Sequence, residues 1–281
     1  PPPPPLFFYT PKPASQMLRS LVGSEMCIRD RLLTLIFTIT TSAQYAIVSA
    51  VDLNEGAEDD YIKTEKFWGP LHKKAIEDGV QTQQAVWKVI QTSDDRENPA
   101  DYFIITSFAS KEQLANYSSA DYGKYAQEAY KGKMSKRAIT RMFDASPNSS
   151  NQRRNYHIEG VSWTILAGGD LKPGDRMSIT STIAKSDDFE SWESEIIKPM
   201  VEKEILMGQH RYWGLAKIYE RTDNAYENPT HFFFNIGVPG ASRSGWESMG
   251  DTFKGTKLRE GVQSASDHQN FVTLELVSIH N

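Results

Sequence analysis

The stretch PLHKKAIEDG, from Pro70 to Gly79, has a counterpart in PMVEKEILMG, from Pro199 to Gly208. Each copy ends a helical pattern and leads into a strand-like run, which is followed by a Glu-Asn-Pro turn at Glu97 and again at Glu227. The spacing between the copies is the same at the proline and at the glycine, and it is one position longer at the turn. A match at nearly constant spacing over about thirty residues indicates an internal duplication.

Each copy is predicted to belong to a β-α-β-β-α-β unit. Gly79 occupies the position where a left-handed residue ends a helix. In the first unit the pattern predicts strands and helices at 45–53, 58–78, 83–92, 101–108 and 110–131. In the second unit it predicts them at 177–185, 187–207, 210–222, 231–238, 244–265 and 269–279.

The closing strand of the first unit has two candidates. The duplication favours Arg137–Ala145, whereas composition favours His157–Leu166, which is richer in residues that suit a strand. We choose the second segment. The polar run Ser146–Asn155 between them is then a linker.

A β-α-β-β-α-β unit is a ferredoxin-like split βαβ arrangement, with helices on one face of an antiparallel sheet. The uncovered face needs a partner, and a second copy of the unit supplies one. We therefore predict an α+β protein in which two tandem units, residues 44–169 and 170–281, face each other as a pseudo-dimeric α/β barrel. Since the partner lies in the same chain, we expect a monomer of the barrel, and further dimerisation stays open.

This organisation resembles the dimeric α/β-barrel superfamily, which includes antibiotic-biosynthesis-type monooxygenases, EthD-like and NIPSNAP-like proteins. The resemblance rests on the topology and on the helix, proline, glycine and strand pattern, followed by Trp87 or Trp213. It implies a fold more than a function, because one scaffold can carry unrelated chemistries.

The amino-terminal region has a different character. Residues 1–31 begin with a proline run, and residues 20–31 (SLVGSEMCIRDR) resemble a translated sequencing adapter. Residues 32–43 have the apolar run and small residues of a secretory signal remnant, so we expect a secreted or periplasmic protein. Cys27 is the single cysteine and lies in the adapter-like block, so no disulfide or thiol nucleophile is predicted.

The composition narrows the classes of partner. The formal net charge is −5, with 36 acidic and 31 basic residues and no basic stripe, which argues against nucleic acid. Apart from the signal remnant, no segment predicts membrane association. No HxH or HExxH grouping, phosphate-binding glycine loop or GxSxG motif is found, so neither a metal nor a nucleotide cofactor is predicted.

The alternation of strand residues leads to a predicted binding site between the two sheets. We expect the lysine-bearing sides of the second strands and the less apolar sides of the third and last strands to face inward. A mostly apolar cavity with a few polar groups is the usual small-molecule site. The predicted site consists of His231, Asn235, Lys217, Trp213, Tyr219, Phe233, Thr273, Glu275, Lys88 and Asp101.

Two functions follow from such a site. In the first, His231 is a general base while Asn235 and Lys217 hold an oxyanion, as in a cofactor-independent monooxygenase or isomerase acting on a small aromatic or polyketide-like substrate. In the second, the protein binds a hydrophobic or planar ligand such as heme without catalysis, with Trp213 and Tyr219 stacking on it. A plain ion pair between Lys217 and Glu275 is the structural alternative.

Overall fold

The computed structural model describes residues 45–94, 99–241 and 252–281, all of which belong to one compact unit. The adapter-like segment 1–31 and the predicted signal remnant 32–43 lie outside the described residues. Glu97 of the first Glu-Asn-Pro turn lies outside them too, as does the first part of the helix predicted for 244–265.

The described residues form eight strands and seven α-helices. The strands are β1 (Tyr45–Leu53), β2 (Gln83–Thr92), β3 (Tyr102–Phe108), β4 (Ser150–Trp163), β5 (Arg176–Ala184), β6 (His210–Arg221), β7 (His231–Gly237) and β8 (Ser266–His280). The helices are α1 (Glu58–Glu77), α2 (Lys111–Asn116), α3 (Tyr122–Ala129), α4 (Lys136–Ala145), α5 (Phe189–Ser191), α6 (Lys198–Leu206) and α7 (Phe253–Ala265). A π-helical segment, Trp192–Ile197, joins α5 to α6, and short 3₁₀ turns occupy Tyr117–Ser119 and Ser146–Ser149.

The strands close into one antiparallel barrel in the order β1-β3-β2-β8-β5-β7-β6-β4. The first half, β1 to β4, has the order β4-β1-β3-β2, and the second half, β5 to β8, has the matching order β8-β5-β7-β6. The halves join at two seams, β2 with β8 and β4 with β6. The predicted α+β class with a closed antiparallel barrel is confirmed.

The barrel interior is filled by apolar side chains from alternate strand positions. Trp87 and Leu274 are 2% and 0% exposed, and both belong to this interior core. Further members are Ala46, Val48, Ala50, Ala85, Phe103, Tyr156, Ile158, Met177, Ile179, Ala216, Ile218, Phe232, Phe234, Ile236 and Leu276. Such a core excludes water, which stabilises the closed barrel.

The helices cover the outer face of the barrel. In the first half, Tyr61 of α1 packs on Val86, Tyr102 and Ile104. In the second half, a separate outer cluster is formed by Phe189, Val201, Trp213, Leu215, Phe233 and Ala265. The sheet is therefore buried on both sides wherever a helix lies on it.

The predicted facing of β2, β6 and β8 is wrong. The strand faces that carry Trp87, Ile218 and Leu274 were expected to pack beneath the helices. All three residues lie in the barrel interior instead. Lys88 and Lys217, expected inside, lie on the outer face and pair with helix carboxylates. A lysine at the edge of a helix keeps its ammonium group in water, which a closed barrel does not permit.

The predicted facing of β7 is wrong for a different reason. The prediction carried the longer spacing of the Glu-Asn-Pro turn into β7. In the structure, Phe103 and Phe232 occupy equivalent interior positions, and their spacing equals that of Pro70 and Pro199. The extra residue belongs to the preceding loop. A register error of one residue moves every side chain of a strand to the opposite face. This error in β7 is why the prediction placed His231, Phe233 and Asn235 inward.

The region between β3 and β4 differs partly from prediction. The chosen closing strand His157–Leu166 overlaps β4, while the rejected segment Arg137–Ala145 lies in α4. The single helix predicted for 110–131 is divided, since Asp121 accepts a hydrogen bond from the Lys124 backbone N–H and starts α3. Such a cap satisfies one of the free N–H groups at a new helix start.

Candidate functional site

A cavity of about 250 Å³ lies between α1 and the outer face of the first half, next to the seam of β2 and β8. We call it the α1 cavity. Its wall is mainly apolar, with a carboxyl group, a hydroxyl group and an imidazole among the lining groups. It is lined by Tyr61, Ile62, Glu65, Lys66, Gly69, Pro70, Val86, Tyr102, Val277, Ser278 and His280.

Helix α1 forms this wall because of local features of its sequence. Its first turn carries three carboxylates, including Glu58, which suit the positive end of the helix dipole. Gly69 lets the helix approach β8, since a Cβ atom there would lie 2.8 Å from Nε2 of His280. Pro70 lacks an N–H, so the helix has one backbone hydrogen bond fewer beside the cavity.

Glu65 is the titratable group that defines the α1 cavity. It is partly buried, and its pKa is raised, mainly because burial disfavours the carboxylate, although Arg153 and Tyr61 act in the opposite direction. Burial and then Glu65 raise the pKa of the Tyr61 hydroxyl, which makes no well-formed hydrogen bond with the described residues. A carboxyl group and a neutral phenol therefore share an apolar wall.

The ring of Tyr102 supports Tyr61 from the sheet. The two ring centroids are 4.6 Å apart, with the planes tilted by 50°. Tyr102 donates a 2.7 Å hydrogen bond to Glu58, which also pairs with Lys88. The hydrogen bonds from Lys88 and then Tyr102 lower the pKa of Glu58. Lys88 is a predicted binding residue, and its ion pair with Glu58 places it beside the α1 cavity and not inside the barrel.

A corresponding group in the second half brings two predicted residues together. Lys217 Nζ and His231 Nε2 lie 3.0 and 3.2 Å from the same Glu190 oxygen. Burial alone would raise the pKa of Glu190, but the hydrogen bonds from Lys217 and His231 outweigh it and lower that pKa. His231 is also 2.8 Å from Thr230 Oγ1 through Nδ1, so both ring nitrogens have partners.

The other predicted residues are dispersed and do not meet at one site. Trp213 and Phe233 belong to the outer cluster of the second half, and Asn235 follows on the same side of β7. Tyr219 lies at the β4–β6 seam, with its ring 6.3 Å from that of Tyr45. Glu275 forms an ion pair with Arg176 on the outer face, and Thr273 lies on the same side of β8. Asp101 accepts a hydrogen bond from the Leu53 N–H. The predicted site inside the barrel is therefore wrong, and so is the Lys217–Glu275 pair.

The interior contains a cavity of only about 50 Å³ at one end of the barrel. Arg154, which is 2% exposed, lies there with its guanidinium 4.8 Å from the ring centroid of Tyr226. Ligand pockets are usually about 300–1,000 Å³, so this space suits water and not a substrate. In the described part of the chain, buried side chains such as Trp87 and Phe234 occupy the space that was predicted for the ligand.

Sequence reasoning missed Glu65, although a signal for it exists. Glu65 follows Tyr61 by four residues and precedes Trp68 by three, so it falls within the apolar stripe of the predicted helix. A carboxylate in such a stripe is costly unless it has a role. Glu193 follows Phe189 by four residues in the second copy and carries the same signal.

Among the described residues, no three histidine, cysteine, aspartate or glutamate side chains are grouped as a metal site. Within the same ranges, no helix has both the length and the apolar character needed to span a bilayer.

Comparison with known proteins identifies the fold. No protein-family model and no curated protein matches the chain. Among solved structures, a proposed monooxygenase from Lactobacillus acidophilus is similar over 85% of this chain and 97% of its own, with a TM-score of 0.50 and 11% identity. A proposed monooxygenase from Fusobacterium nucleatum is similar over 85% and 95%, with a TM-score of 0.50 and 10% identity. At this identity the likeness shows the fold alone, a closed antiparallel barrel with helices on its outer face.

Proposed function

We propose that the chain is a tandem, single-chain form of the dimeric α/β barrel, with residues 44–169 and 170–281 as its two ferredoxin-like units. The repeated strand order and the duplicated segments at Pro70 and Pro199 support this proposal. Each unit buries the sheet face that its own helices leave open. The chain then completes the barrel as a monomer.

We propose that the α1 cavity binds a small aromatic or polyketide-like molecule and transfers a proton from it, as a cofactor-independent monooxygenase or an isomerase does. The observation that carries this proposal is Glu65, a carboxyl group with raised pKa in the wall of an apolar cavity. Perturbed titratable groups in clefts are typical of functional sites. The volume suits one or two fused rings.

Both reactions begin with the same step. Glu65, as carboxylate, removes a proton from a carbon or hydroxyl acidified by a neighbouring carbonyl or ring, and its raised pKa makes it a better base near neutral pH. The neutral Tyr61 hydroxyl donates a hydrogen bond to the oxyanion that forms. An isomerase returns the proton to another carbon. In a monooxygenase, a substrate methylene supplies all four electrons that reduce O₂ and both hydrogens of the water, so one oxygen atom becomes the carbonyl and the other leaves as water.

Heme, the planar ligand of the alternative function, does not fit the described residues. The α1 cavity is smaller than usual ligand pockets, and its single imidazole, His280, lies against Gly69 of α1. His231 has partners at both ring nitrogens. An axial ligand needs a free nitrogen. The group of His231, Lys217 and Glu190 is better explained as a polar contact that holds α5 on the sheet.

We infer export from the apolar residues 32–43, which have the pattern of a signal remnant. The proposed compartment is the periplasm or the extracellular medium. Fusing residues 32–43 behind a basic start and expressing the chain in a bacterium tests this. Processing after Ala43, read by mass spectrometry of the exported chain, supports it, and retention of the intact segment in the cytoplasm contradicts it.

Binding is tested with 2-naphthol, a planar two-ring phenol, by fluorescence titration of the purified chain. Val277 lines the cavity and is 38% exposed, so Val277→Trp fills the cavity without disturbing a core. We expect this change to weaken binding at least about tenfold, which is about 1.4 kcal/mol. The matched control is Ile165→Trp, at a position that is 84% exposed and does not line the cavity.

The proton-transfer step is tested separately with Glu65→Gln, which keeps the shape of the side chain but removes the base. Loss of a general base costs about 100-fold or more in rate. We expect binding of 2-naphthol to be retained, while exchange or oxidation of acidic C–H groups in a panel of planar ketones is lost. The same number of bound 2-naphthol molecules with the same affinity in the parent and in Val277→Trp would refute the cavity as a binding site.

A further inference from the structure

The two halves have matching groups around the first helix of each. In the first half, Tyr61 packs on Tyr102 of β3, with ring centroids 4.6 Å apart. In the second half, Phe189 packs on His231 of β7 at 4.9 Å. The lysines at 88 and 217, which keep the spacing of the two prolines, each pair with a glutamate of the adjacent helix. The side of the helix that carries Glu65 therefore has a counterpart in the second half.

The counterpart of Glu65 is Glu193. Each follows the packed ring of its helix by four residues, Tyr61 or Phe189, and so lies one turn further along the same face. Glu193 is 3% exposed, and burial raises the pKa of its carboxyl group. Burying a carboxyl group destabilises a fold, and glutamine or leucine would cost less there. A structural role alone does not account for a carboxyl group in both copies.

The π-helical segment marks the place where the copies differ. The spacing from Tyr61 to Phe189 equals the spacing from Glu65 to Glu193. The next matching pair, Pro70 in α1 and Pro199 in α6, is separated by one position more than Glu65 and Glu193 are. One residue has therefore been added after Glu193, and the π-helix at Trp192–Ile197 absorbs it. Single-turn π-bulges often occur at functional sites.

The same segment fills the space next to Glu193. Trp192 and Ile197 pack against the outer cluster of the second half, together with Val161 of β4. Helix α7 presses on Trp192, since a Cβ atom at Gly261 would lie 2.6 Å from its ring. The first half has an open cavity at the matching place. In the second half, the matching carboxyl group of Glu193 is 3% exposed and lies on the segment that packs beneath α7.

We propose that the second half contains a second site for a planar phenolic or ketonic molecule, with Glu193 as its acid–base group and with Trp192 closing its entrance. This inference rests on the proposed function of the α1 cavity, because it assigns the same ligand class to the matching place. Opening requires the π-helical segment to move away from α7. Binding at the second site is therefore slower than binding at the first.

The test uses 2-naphthol and the full chain carrying Val277→Trp, in which the α1 cavity is filled. We expect one 2-naphthol to remain bound per chain, with association at least about tenfold slower than in the parent because closing segments limit entry. Adding Trp192→Phe speeds association severalfold with unchanged stoichiometry. Adding Glu193→Gln weakens binding about tenfold. The matched control is Glu195→Gln, an exposed position in the same π-helical segment.

The outcomes separate the two proposals. If the parent binds one 2-naphthol and the Val277→Trp chain binds none at millimolar concentration, with or without Trp192→Phe, the first site stands and the second is refuted. If Val277→Trp leaves the bound molecule and its association rate unchanged, the proposed function of the α1 cavity fails. Equal effects of Glu193→Gln and Glu195→Gln refute the role assigned to Glu193.

Discussion

Replacing Trp87 with alanine is expected to lower the free energy of unfolding by about 3–5 kcal/mol, as for other buried tryptophans. Trp87 is 2% exposed and belongs to the interior core, where its partners include residues of both halves. The counterpart position in the second half is Ala216, so the duplication does not place a second tryptophan in the core. Urea unfolding followed by circular dichroism measures the change.

The adjacent residue is the control for this result. Lys88 points outward, its side chain is 46% exposed, and its ion pair with Glu58 lies at the surface. Lys88→Ala is therefore expected to change stability by less than about 1 kcal/mol. A larger loss from Lys88→Ala than from Trp87→Ala would mean that the two faces of β2 are reversed.

Replacing Glu193 with glutamine is expected to stabilise the protein above pH 7 by about 2–3 kcal/mol. Burial raises the pKa of Glu193 from 4.5 to about 7. The folded chain therefore binds more protons than the unfolded chain between these two values. The stability of the parent falls as the pH rises through this window, and the full penalty is present above pH 7. Glutamine removes that dependence.

Denaturant unfolding of the parent and the Glu193→Gln chain from pH 4 to pH 8.5 measures this effect. Glu195→Gln, at an exposed position, is the matched control and should leave the pH dependence of stability unchanged. Parallel curves for the parent and Glu193→Gln at all pH values would contradict the burial of an uncompensated carboxyl group. The result does not depend on ligand binding, so it tests the geometry of the second half by itself.

Local sequence signals predicted the architecture well. The duplicated helix and hairpin located α1, β2 and β3 and their counterparts in the second half. The predicted left-handed glycine after the first helix is confirmed by φ of +71° at Gly79, and Gly208 has the same value. These features depend on a few adjacent residues, and turn and helix-end chemistry can be read from them directly.

The facing of the strands could not be predicted in the same way. Both faces of each strand are covered, one by the opposite side of the barrel and the other by helices, so apolar content does not distinguish them. In β2, Val86 and Trp87 are both 2% exposed, yet they lie on opposite faces. The correct face depends on which helix carboxylates reach Lys88 and Lys217, and this requires the packed structure.

The candidate site was recovered only in part for the same reason. His231 and Lys217 do meet, but through Glu190 of a helix and not across the barrel. Glu65 carried a signal in the apolar stripe of its helix, and reading each helix for a charged residue in that stripe would have found it. The cavity itself arises where Gly69 lets α1 approach His280, which lies near the opposite end of the chain sequence. No local pattern contains such a contact.

Because every strand among the described residues has two hydrogen-bonded neighbours, these strands offer no free sheet edge to other chains. The connection between β4 and β5 is then not needed to hold the fold, since both seams join the halves without it. Cutting the chain near Gly169, a surface glycine with φ of +84°, would leave two fragments that remain assembled as a heterodimer. Such a split protein would let one half be labelled or substituted independently of the other.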